Sequence, residues 1–181
     1  MLLSDFGFTK ELARGESTFT FCGTPDYLAP EMVINSGHGH GVDFWALGVL
    51  LYEMLCGVTP FQEDDDEMKM YSRIMFSSVW FPDEFDASAK DLIAKLLERD
   101  LTKRLGLMNE GIGDIKKHPF FEGIDWAAVG NRRLTPPYQP GPMTPLSPSQ
   151  KAAKRPTLSD LVKVDTSLKY SEEHIAFFDS F

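Results

Sequence analysis

The run from Phe44 to Tyr52 carries no charge, and Asp43 and Glu53 close it on either side. Gly57 and Pro60 supply a stop signal, so the pattern predicts a helix over 42–55 that is apolar on every face. A bilayer span needs roughly 20 apolar residues, which makes this a core helix. The rest of the chain must wrap around it. Any face left uncovered becomes an apolar patch that invites partner binding or aggregation.

Other segments supply part of that wrapping. Met68, Tyr71, Ile74 and Met75 fall at helical spacing and predict a helix over 65–76. The acidic run from Glu63 to Glu67 sits at its N-terminus, where the helix dipole favours negative charge. That run reads either as a cap and solvated face or as a surface for basic substrates. Ser88 to Asp91 has the form of a capping box, and Leu92, Ile93, Leu96 and Leu97 make an apolar stripe behind it. A short helix around 112–118 ends at His118-Pro119. Residues 1–41, crowded with Gly, Thr, Ser and Pro, read as an extended loop with short turns. Six prolines between Pro136 and Pro148 favour extended, solvated backbone, and we place a boundary near residue 127 with a tail beyond it. The tail ends in Phe177, Phe178 and Phe181, too apolar for an idle terminus.

Charge narrows the partners. Lys and Arg number 18 and Asp and Glu 27 in 181 residues, a net charge of −9. That balance repels nucleic-acid phosphates and anionic lipid and favours basic peptides. Cys22 and Cys56 form no disulfide framework, and free thiols fit a reducing compartment. No targeting signal is visible at the N-terminus, so a cytoplasmic or nuclear location is expected. His38 and His40 lack a nearby carboxylate or cysteine to complete a metal site and read as loop histidines, while His118 reads as a helix-end histidine.

Two tripeptides carry the chemistry. Asp5-Phe6-Gly7 is followed about two dozen residues later by Ala29-Pro30-Glu31, with a threonine-rich loop between them, the order found in a protein-kinase activation segment. The joining sequence from Thr20 to Glu31 resembles the AGC group of serine/threonine kinases, nearest the cyclic-nucleotide-dependent members. The resemblance continues through Asp43 to Gly48, Asp100 to Arg104, Asp125-Trp126, Pro137 to Pro140 and the terminal Phe178 to Phe181. It implies a mainly α fold: part of the kinase large (C-terminal) lobe plus an extended AGC-type tail. The implied division is an activation segment over 1–41, the helical remainder of the lobe over 42–127 and the tail over 128–181.

Roles follow from the same resemblance. Asp5 matches the aspartate that ligates Mg²⁺ bridging the ATP phosphates. Thr20 matches the activation-loop phosphosite, with Lys10 as a surviving basic contact for its phosphate. Thr24 marks the serine/threonine class. Phe21, Pro25 and Leu28 line the position for an apolar residue after the target hydroxyl, and Phe19 and Tyr71 share the substrate-facing surface. Glu53 matches a glutamate that pairs with substrate arginine, a charge-assisted contact. Asp26 stands where the nearest relatives usually carry Glu. Glu31 and Arg104 match a structural ion pair, and Asp43 is expected to accept backbone hydrogen bonds.

The implied order of motifs sets a limit. Gly-x-Gly-x-x-Gly and His-Arg-Asp, which precede Asp-Phe-Gly in the family, occur nowhere in these 181 residues. We therefore expect a C-terminal portion of a kinase that moves the ATP γ-phosphate to Ser or Thr in basic sequences, inactive as an isolated chain. The other reading is a non-catalytic docking module that binds basic substrates or inhibitory regulatory subunits. A third is a remnant without function. Thr144-Pro145 and Ser147-Pro148 are proline-directed phosphosite candidates, and Lys154 to Leu158 reads as a basic target sequence of the family's own type.

Overall fold

A computed structural model describes residues 3–13, 15–62, 66–139 and 141. The described residues up to Leu134 form one compact unit, and those from Thr135 onward belong to a second. Among the described residues six α-helices follow in order: α1 (Pro30–Val33), α2 (Gly41–Cys56), α3 (Glu67–Phe76), α4 (Ala87–Leu96), α5 (Ile112–Lys116) and α6 (Trp126–Gly130). Single 3₁₀ turns lie at Pro25–Tyr27 and Pro119–Phe121. Extended pairing among the described residues is one antiparallel bridge, Thr18 to His38, with both backbone hydrogen bonds at 2.9 Å. The fold is mainly α, as a partial kinase large lobe requires.

Helix α2 is the axle. Trp45, Val49 and Tyr52 are buried along it, and Gly57 ends it at φ 78°, a left-handed cap that a residue without Cβ adopts freely. Its neighbours come close because Gly48 has no side chain: a Cβ there would stand 2.9 Å from Leu96 and Leu97 of the α4 region. One core cluster gathers Leu28, Met32, Trp45, Val49, Phe61 and Ile74, and Trp45 stacks on Phe61 at 5.7 Å. A second joins Leu92, Leu96, Leu105 and Ile115. The expected stripe on α4 thus splits between the two. Wrapping of α2 is incomplete: Leu50, Met54 and Leu55 are exposed, Met54 at 62%.

Several local expectations need correction. Asp86, not Ser88, caps α4, accepting from the Ala89 amide at 2.9 Å, while Ser88 lies inside the helix and donates to the same carboxylate. Those hydrogen bonds hold the Asp86 carboxyl below its ordinary value. On α3 the buried residues are Met70 and Ile74; Met68 is exposed because the helix starts at Glu67, which puts Met68 in its solvated first turn. Asp66 caps α3 through the Lys69 amide, whereas Glu63 to Asp65 lie outside the described residues. Helix α6 was not expected. It crosses residue 127, and Asp125 caps it through the Ala128 amide while Trp126 donates to the Lys116 carbonyl at 3.0 Å.

One buried ion pair ties these parts together. Arg104 is fully buried and Glu31 nearly so, and the guanidinium meets the carboxylate through two bonds of 2.6 and 2.9 Å. Two further Arg104 donors reach the carbonyls of Gly41 at 3.1 Å and Glu98 at 2.7 Å. Arg104 also lies over the Trp45 ring, 5.2 Å from its centre. Removing one partner strands the other charge. Arg104→Met is therefore expected to cost roughly 3–5 kcal/mol in urea unfolding, and Glu31→Leu added to it should recover part of that loss. A double variant less stable than the single one would refute this account.

Candidate functional site

The turn Pro25–Tyr27 and helix α1 both begin at proline, whose fixed φ suits a first helical position. They turn the chain back across α2 and bury Leu28 and Ala29. This places Tyr27 over the end of α2, where its hydroxyl donates to Glu53. Next to it, Asp26 accepts from the Thr59 hydroxyl at 2.9 Å. The Tyr27 phenol is pushed up to about 12, first by the Glu53 hydrogen bond, then by burial and by the charges of Glu53 and Asp26. Both carboxylates therefore crowd one phenol. Phe21 meets Tyr71 of α3 edge-on at 6.4 Å, and the Tyr71 phenol is raised by burial and by Glu67.

The structure thus brings Phe21, Pro25, Leu28, Glu53 and Tyr71 to one end of the unit, but not equally exposed. Phe19 and Phe21 are open to solvent, at 61% and 55%, while Leu28 is a core residue. Thr24 is exposed; its carbonyl accepts from the Tyr27 amide at 3.0 Å, and its side chain makes no cap. Sequence reasoning missed Thr59, whose only signal was its place beside the helix stop.

Residues upstream form a second region. Asp5 is exposed at φ 63°, with the Gly7 amide 3.4 Å from its carboxylate. Asp5, Lys10, Thr18, His38, His40 and Asp43 line a cavity of about 310 Å³. Lys10 donates to the Thr18 hydroxyl at 3.0 Å, and that hydroxyl lies 3.3 Å from the Thr20 hydroxyl. Lys10 therefore approaches Thr20 through Thr18. Asp43 departs from expectation: its carboxylate is exposed and accepts no hydrogen bond among the described residues, because the backbone beside it is engaged within the start of α2.

A kinase reaction needs Mg²⁺, which demands near-octahedral oxygen ligands. Among the described residues no group of three His, Cys, Asp or Glu is placed to hold a metal. Asp5 alone does not furnish such a site, so these residues do not by themselves fit the ion. His118 is buried, its Nε2 2.8 Å from Asp91 and its Nδ1 accepting from the Phe120 amide at 3.3 Å. Cys22 and Cys56 are free and half-buried. No helix among the described residues is long and apolar enough to cross a membrane.

Comparison with known proteins decides the family. The protein kinase domain model matches residues 1–121. This chain belongs to the protein kinase domain family. It is similar to the cAMP-dependent protein kinase catalytic subunit PRKX of Mus musculus, 49% identical over 138 residues, which cover 76% of this chain and 38% of that protein. It is similar also to the cAMP-dependent protein kinase catalytic subunit of Dictyostelium discoideum, 47% identical over 76% of this chain and 21% of that protein. Serine/threonine-protein kinase YPK1 of Saccharomyces cerevisiae is 48% identical over 76% of this chain and 20% of its own length. The AGC resemblance read from the activation segment agrees with these relatives. The chain spans well under half the length of each.

Alkali tests the Tyr27 contact. A tyrosine with a folded pKa raised to about 12 from 10.0 contributes stability that is complete below pH 10 and lost as pH rises through 12. Thermal midpoints followed from pH 9 to about 12 should fall, and Tyr27→Phe should show a shallower fall. An unchanged slope in that variant would sink the assignment.

Proposed function

We propose that this chain is the activation-segment and peptide-binding portion of a serine/threonine kinase acting on basic sequences, and that alone it transfers no phosphate. The observation that carries this reading is the joining of Phe21 to Tyr71 and of Tyr27 to Glu53, which sets aromatic surface beside carboxylates at one end of the unit. Glu53 and Asp26 make no ion pair with any described residue, so their charge is available to a substrate guanidinium. In the whole enzyme Asp5 would be one ligand of the Mg²⁺ that accompanies ATP, with the other ligands and the group that orients the attacking hydroxyl supplied from outside these 181 residues. Thr20 would be the regulatory phosphosite, with Lys10 a basic group that reaches it through Thr18.

The exposure of Phe19 and Phe21 supports a second reading, a docking module that holds basic substrates or an inhibitory regulatory subunit without turnover. An immunoblot against residues 169–181 separates the two. A band far above 20.4 kDa places the chain's sequence in a longer enzyme, and a band at 20.4 kDa favours the module.

The purified chain is expected to bind a fluorescent arginine-containing serine peptide more tightly than its citrulline counterpart, with an affinity that falls as salt rises. Glu53→Gln should weaken the arginine peptide about tenfold, the scale of one charge-assisted hydrogen bond. No ADP should form with Mg²⁺, ATP and peptide. Equal binding of the two peptides would overturn the basic-substrate reading, and peptide-dependent ADP would overturn inactivity.

A further inference from the structure

Arg99 lies outside every motif the sequence singles out, yet its guanidinium makes three hydrogen bonds to backbone carbonyls. It is half-buried, and burial pulls its pKa below the ordinary value. Its Nε donates to the Ile74 carbonyl at 2.7 Å, and its Nη2 to the carbonyls of Ser77 at 2.5 Å and Arg73 at 3.2 Å. These carbonyls belong to the last turn and C-cap of α3, where the helix dipole is negative; the Arg73 carbonyl also accepts from the Ser77 amide at 2.9 Å, while those of Ile74 and Ser77 gain a donor in Arg99. One step earlier in the chain, the Glu98 carbonyl receives Arg104 Nε at 2.7 Å, and Arg104 holds Glu31 of the activation segment. Residues 98–104 are thus fastened to α3 at one end and to the activation segment at the other. Phe21 on Tyr71 closes the circuit at the surface.

We propose that Arg99 is a positioning residue: it fixes the register of α3 against the activation segment and so sets the Phe21–Tyr71 wall that receives the apolar residue after the target hydroxyl. Two features make a plain stabilising role insufficient. The bonds go to the backbone of the element that carries Tyr71, so their loss frees the position of the helix end rather than opening the core. A fork with donors on Nε and Nη2 fixes angle as well as distance, which a point charge does not. The inference rests on the peptide-binding reading above.

The test uses the 181-residue chain and two arginine-containing serine peptides, one with isoleucine and one with glycine after the serine. Wild type should prefer the isoleucine peptide. Arg99→Met should weaken that peptide roughly threefold to tenfold while leaving the glycine peptide within about twofold. Amide exchange at residues 74–77 should quicken in the same variant. Arg99→Lys, which keeps the charge and loses the fork, should fall between the two and keeps the test open if the methionine variant fails to fold. Equal loss for both peptides, or unchanged discrimination with normal exchange, overturns the role of Arg99. Absence of discrimination in wild type overturns the peptide-wall reading itself, and the proposal with it.

Discussion

A carboxylate and a guanidinium removed from water hold this unit in register. Burial of Glu31 and Arg104 is costly for each alone, so the pair persists only because two direct bonds and two backbone carbonyls use the guanidinium donors together. Those four bonds reach three separate stretches: α1, the start of α2 and the segment before residue 104. Apolar packing by itself is tolerant of small slips. A forked ion pair is not, and it fastens α1 to the start of α2 and to the segment before residue 104.

The end of the unit around Tyr27 depends on that fastening. Once α1 is fixed, the 25–27 turn has one place to lie, with Leu28 in the core and Tyr27 against Glu53. Asp26 is then carried to Thr59. Arg99 extends the same framework to α3. A chain of polar contacts therefore runs from a buried charge to exposed aromatics, through backbone as often as through side chains.

The upstream region contrasts with this. Asp5, Lys10, His38 and Asp43 border an open cavity instead of packing against one another, and α2 leaves Leu50, Met54 and Leu55 exposed.

What could be read from the sequence was local or motif-borne. The uncharged run 44–52 forced a buried helix, and Leu92, Ile93, Leu96 and Leu97 announced theirs by spacing alone. Glu31 and Arg104, 73 positions apart, were legible only through resemblance, since no periodicity links them. Choices between near-equivalent neighbours escaped the sequence: Asp86 over Ser88 as cap, and Met70 over Met68 as the core methionine. Each turns on where a helix starts, by one or two residues, and packing settles that. Thr59 and Arg99 were invisible for a different reason. A hydroxyl or guanidinium acquires its partner from whichever backbone the fold brings near, and for Arg99 that is the end of α3, more than 20 residues back. Apolar spacing determined the principal helices and motif resemblance pointed to the family, while the tertiary structure decided which polar groups meet, because hydrogen bonds act only within about 3 Å.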